Sequence, residues 1–143
     1  MRPLAVSLIG VYQILRGILG VLFALGILLF TGLAAKLASL ASEGNFVERI
    51  LSGMGHMFGI GVLLFALAHL LAGLGLFKMG NWARLLTLFL SALGLIGAVA
   101  ALGRPSAWLL VTGIVNAASL FYLAMPPVKR AFHSERPALR AAA

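Results

Sequence analysis

The sequence predicts an all-α fold, an integral membrane four-helix bundle with both termini cytoplasmic. Three observations carry that expectation. The chain of 143 residues is 62% hydrophobic, with a mean hydropathy of +1.11. A soluble domain of this size cannot hide so much apolar surface, and long uncharged runs suit a bilayer. Those runs are each close to the roughly 20 residues a helix needs to cross a hydrocarbon core. Finally, the stretch Lys78-Met79-Gly80-Asn81-Trp82-Ala83-Arg84 is a short polar turn between two of them. Gly80-Asn81 is the breaker pair expected to reverse the chain. Lys78, Trp82 and Arg84 are expected to anchor it at the cytoplasmic interface.

Composition excludes several classes. The net charge of +8 reflects few acids, only Glu43, Glu48 and Glu135. Most cations sit at the ends of apolar runs, so a positive-inside bias explains the basicity and no nucleic-acid partner is expected. The absence of cysteine excludes disulfides, thiol catalysis and thiolate metal sites. Phosphate loops, nucleophile elbows and zinc-ligand spacings are also missing.

In chain order, the opening Met1-Arg2-Pro3 resembles the start of a signal sequence. The apolar stretch behind it is too long for a cleaved signal and lacks a small-x-small site, so a retained first span is expected at about residues 4–35. Arg16 divides it. On one reading Arg16 and Lys36 are end posts of a span from Gly17 to Ala35, and Leu4 to Leu15 extend it along the surface. On the other the whole stretch tilts across the bilayer and Arg16 lies near its middle. A polar connection follows, in which Asn45 suits the cap of a short interfacial helix starting at Phe46. The second, third and fourth spans are expected at about 57–77, 85–103 and 107–125. Pro105-Ser106 suits the start of the fourth, and Trp108 is its outer interface anchor. Pro126-Pro127 should stop it, closing a transmembrane domain of residues 1–127. Residues 128–143 read as a basic cytoplasmic tail, frayed or lying on anionic headgroups.

Orientation follows from the cations. Four spans place Arg2, Lys78, Arg84, Lys129, Arg130, Arg136 and Arg140 on one side. Lys36, Arg49 and Arg104 fall on the other, so the first side is the cytoplasmic one.

Each span carries small or polar residues at helical spacing, which mark the faces that pack in lipid. The stripes are Gly10, Gln13, Gly17, Gly20 and Ala24; Gly59, Ala66, His69 and Gly73; Thr87, Ser91, Gly94, Ala98 and Ala101; and Thr112, Asn116 and Ser119. His69 and Asn116 lie deep in their spans, and Arg16 joins them if the first span is long. Such groups serve either as a hydrogen-bond clasp or as a ligand or proton site. His69 is the one candidate ligand for a tetrapyrrole pigment. A bis-histidine haem needs a second mid-membrane histidine, and neither His56 nor His133 qualifies.

Three pieces of the chain resemble a known type: Arg2-Pro3-Leu4 with Gly10 and Gln13; Lys78-x-Gly80-x-Trp82-Ala83-Arg84; and Pro127-Val128-Lys129-x-Ala131-Phe132. Together they are similar to small bacterial four-span proteins grouped as uncharacterised predicted membrane proteins. That resemblance implies a four-helix integral membrane fold in a bacterial inner membrane, and it brings no catalytic residues. Arg16 departs from the type, where the position is more often apolar or Gly, and so points to something particular to this chain.

The function expected from these features is a non-enzymatic accessory subunit of a larger membrane complex, packing by its helices and holding lipid or pigment. The alternative is a small homo-oligomeric transporter or channel lined by Arg16, His69 and Asn116. An intramembrane enzyme needs a nucleophile or acid pair, and the spans offer neither.

Overall fold

In hydrocarbon a backbone must satisfy its own hydrogen bonds, so apolar runs of this length fold as helices. A computed structural model describes residues 3–41, 46–101, 103 and 106–132, and they are helical almost throughout, with no strand among them. The helices are α1 (Leu4–Ala41), α2 (Phe46–Phe77), α3 (Asn81–Ala100) and α4 (Ala107–Ala124). A helix of about two turns, α5 (126–132), follows. All but α5 are long and apolar enough to cross a membrane. At 1.5 Å per residue their lengths are about 57, 48, 30 and 27 Å.

The boundaries differ from expectation in instructive places. The backbone of α1 is helical without a break through Arg16, and its apolar stretch runs to Leu37. Phe46 to Met54 is not a separate interfacial helix; it forms the opening turns of α2. Asn45, the expected cap, lies outside the described residues, as do Arg104 and Pro105. Ser106 does cap α4, its Oγ accepting from the Leu109 N–H at 3.2 Å.

The polar turn is shorter than its seven residues suggest, and it reverses one residue earlier. The Gly80 carbonyl accepts from the Ala83 and Arg84 N–H groups, so α3 begins directly after Gly80. Gly80 itself is extended (φ −69°, ψ 123°), and the left-handed residue is Met79 at φ 49°. The N–H of Met79 bonds to the Leu76 carbonyl and that of Gly80 to the Gly75 carbonyl, which closes the end of α2. A non-glycine residue in this conformation costs about 1–2 kcal/mol. Burying the Met79 side chain offsets that by about 1.5–3 kcal/mol. The core therefore selects methionine where backbone freedom alone would select glycine.

Contacts divide the chain into two compact units, residues 15–70 and residues 1–14 with 71–143. The first is a hairpin of α1 against α2 in which glycines set the approach. A Cβ at Gly17 would lie 2.6 Å from Leu70, one at Gly20 2.8 Å from Ala66, and one at Gly59 2.7 Å from Leu28. Thr31 faces Gly55 in the same register. No bulkier residue fits at these crossings, and the helices gain dispersion contacts in exchange.

The second unit joins the first turns of α1, the end of α2, and α3, α4 and α5. Its apolar core is Val6, Leu76, Met79, Ala83, Leu123, Val128 and Phe132. Two of these belong to the expected tail. Val128 and Phe132 lie four apart on α5, so one helical face is apolar and packs, while Lys129 and Arg130 face outward. The packed structure thus extends beyond Pro127; His133 to Ala143 lie outside the described residues.

Candidate functional site

The buried polar groups are the places where an apolar bundle carries chemistry. In the second unit they form stripes on two helices. Arg84, Thr87 and Ser91 share one face of α3, and Thr112, Asn116 and Ser119 share one face of α4. The two helices pack against each other. Asn116 is only 1% exposed and its amide sits where a side chain on Gly94 would be. Lower along the same pair, Ala98 meets Gly113, with 3.5 Å from its Cβ to a Cβ built there. On α1, Gln13 is equally buried, and Gly10 faces Gly73 and Phe77 of α2.

The two threonine hydroxyls on these stripes bond within their own helices. Thr87 donates to the Ala83 carbonyl at 2.8 Å, and Thr112 to the Trp108 carbonyl at 2.9 Å. The Oε1 of Gln13 and the Oγ of Ser91 find no hydrogen-bond partner among the described residues. Close packing encloses the polar stripes of α3 and α4.

Arg84 has a different task, set by the two prolines beyond α4. In a continuing helix the Tyr122 and Leu123 carbonyls would accept from residues 126 and 127, but Pro126 and Pro127 have no N–H. The Met125 N–H takes the Tyr122 carbonyl at 3.2 Å. The Leu123 carbonyl is taken by Nη1 of Arg84 at 3.4 Å. Arg84 is accordingly only 6% exposed. Unlike the neighbouring Trp82, which is 54% exposed, it is drawn into the bundle end. Its cation also meets the negative end of the α4 dipole. Lys78 and Trp108 are exposed.

In the hairpin unit the polar pair is Arg16 and His69. Arg16 is half-buried and lies within electrostatic reach of His69. His69 is 2% exposed, with its ring 4.7 Å from that of Phe65. A tetrapyrrole needs an open face as wide as the macrocycle beside its axial ligand. The His69 ring is enclosed, and its Nδ1 has no hydrogen-bond partner among the described residues. His56 is exposed and bonds through Nδ1 to the Ser52 carbonyl of its own helix at 2.9 Å. Among the described residues no three histidine or carboxylate groups come together as a metal site.

These features define a chain of four membrane-length apolar helices with enclosed polar contacts. No family model, no curated protein and no solved structure matches it.

Proposed function

We propose that the protein is a non-enzymatic accessory subunit of a larger membrane complex, with both termini cytoplasmic and, on the motif resemblance, in a bacterial inner membrane. One observation carries this reading. The hairpin of residues 15–70 closes along a single glycine face and leaves large apolar side chains uncovered around the rest. Leu22, Phe23, Leu29, Phe30, Met57, Phe58 and Leu64 are all exposed. Lipid covers some of this surface, and neighbouring transmembrane helices are proposed to cover the remainder. The enclosed polar stripe supports a packing role and gives no support to a conducting path.

The test is extraction from the native membrane in mild detergent, with mass and subunit content measured together. Stoichiometric co-purification with other membrane polypeptides is the expected result. A homo-oligomer free of other subunits would replace this reading with that of a small transporter or channel. Orientation is measured separately, because the chain has no cysteine. A single cysteine at Lys129 should react with an impermeant maleimide only after the membrane is opened from the cytoplasmic side.

A further inference from the structure

The second unit brings together a hinge, a seat and a strained residue. The hinge is Met125. Its backbone is extended (φ −59°, ψ 138°), which breaks the helix after Ala124. Pro126 and Pro127 have no N–H, so the bonds that would carry α4 straight into α5 cannot form. α5 starts afresh from the Met125 carbonyl, which accepts from the Lys129 N–H at 3.0 Å. The orientation of a short helix behind such a joint is set by what its side chains touch.

Those side chains are Val128 and Phe132, both buried. They share one cluster with Leu76 and Met79 from the end of α2 and Ala83 from the start of α3. α5 is therefore seated on the α2–α3 turn. Within that turn Met79 holds φ at 49° with its side chain buried. Any residue with a Cβ disfavours this conformation. It persists only where the surroundings over-determine it, and α5 is part of those surroundings. Undocking α5 opens the cluster and removes burial that offsets the strain.

We propose that α5 and the α2–α3 turn form a two-state latch. Closed, α5 keeps Met79 left-handed. Open, α5 swings about Met125 and Met79 relaxes to a right-handed conformation, which changes how α2 ends. The coupling runs both ways, since a bias on one element is felt by the other to the same extent. The segment after α4 is thereby a handle on the turn between two membrane-length helices. The latch does not depend on the subunit reading, and its test involves no second membrane protein.

Met79→Ala and Met79→Gly test it as a pair, in the full chain in mixed micelles. Trypsin cleavage after Lys129 and Arg130 measures opening. Both variants lose the buried methionine side chain. They differ in the cost of a positive φ, which glycine adopts freely. A latch bears that cost only when closed. Met79→Ala should therefore be cleaved about 5- to 30-fold faster than Met79→Gly, with opening equilibrated ahead of cleavage. Cleavage after Arg16, inside α1, reports global unfolding and should lag far behind in both. Equal rates at Lys129 and Arg130 overturn the proposal, because the turn would then keep its conformation with α5 docked or released. Cleavage after Arg16 that keeps pace also overturns it, because the opening would be that of the whole fold. The reverse direction is read in Phe132→Ala from the Cα chemical shift of labelled Met79, which should move toward the helical value. A Met79 shift unmoved while cleavage after Lys129 accelerates overturns the latch even if neither variant at 79 folds.

Discussion

Arg84 at the start of α3 donates a hydrogen bond to the carbonyl of Leu123 in the last turn of α4, and Pro127 is the reason that carbonyl is open. Arg84→Met keeps the apolar stem but leaves a buried acceptor unmatched. A hydrogen bond from a charged donor contributes about 1.5–3 kcal/mol, and a loss in that range is expected in reversible unfolding in mixed micelles. Arg84→Lys should recover part of it, because an ammonium still donates but lacks the reach of the planar fork.

Gly94 and Asn116 should couple in the same assay. Gly94→Ala places a methyl against the Asn116 amide and should destabilise by about 1–3 kcal/mol. Asn116→Ala alone should cost about 0.6–2 kcal/mol, the range for polar contacts between helices in lipid. Combined, the two should cost less than their sum, since the smaller side chain at 116 leaves room for the methyl. Strict additivity would show that the two residues do not share a contact.

Two glycines six positions apart on α1 offer a matched contrast. Gly20 lies against Ala66, whereas a Cβ at Gly26 meets nothing within 4 Å. Gly20→Leu should separate the hairpin and lower the thermal midpoint. Gly26→Ala should raise stability by about 0.5–1 kcal/mol through helix propensity. A fall in both would mean that α1 turns a different face to α2.

Phe132 fixes α5. Removing a buried phenylalanine costs about 3–5 kcal/mol, which here is expressed as local undocking of α5. Trypsin cleavage after Lys129 and Arg130 should therefore accelerate by roughly 100- to 4,000-fold in Phe132→Ala. An unchanged rate would show that α5 is already open in the wild type.

Much of this architecture is written in hydropathy. Four helices and the inward stripes follow from the length of the apolar runs and from three-and-four spacing. Every stripe residue, from Gly10 to Ser119, is buried or half-buried. The left-handed residue was hidden because Gly80 draws attention from its neighbour, and only the core shows why Met79 takes that conformation. The burial of Arg84 was hidden because a cation after an interfacial tryptophan reads as an anchor. Its signal was present in Pro126-Pro127, which strand two carbonyls and so require a donor from elsewhere. Val128 and Phe132 were lost among the charges around them, although their spacing of four already marks an apolar face. The enclosure of His69 was hidden because sequence carries no direct measure of burial.

The unequal helices set a demand on the membrane itself. The apolar stretch of α1, Leu4–Leu37, is 34 residues, or about 51 Å. At a steep tilt of about 40° it still projects about 39 Å along the bilayer normal. The 20 residues of α3 match a core of about 30 Å. Were both helices to cross, a bilayer matched to α3 would leave about 9 Å of the apolar stretch of α1 beyond its boundary. Hydrophobic mismatch of this size favours thicker lipid domains, or a neighbour whose own apolar belt is equally tall.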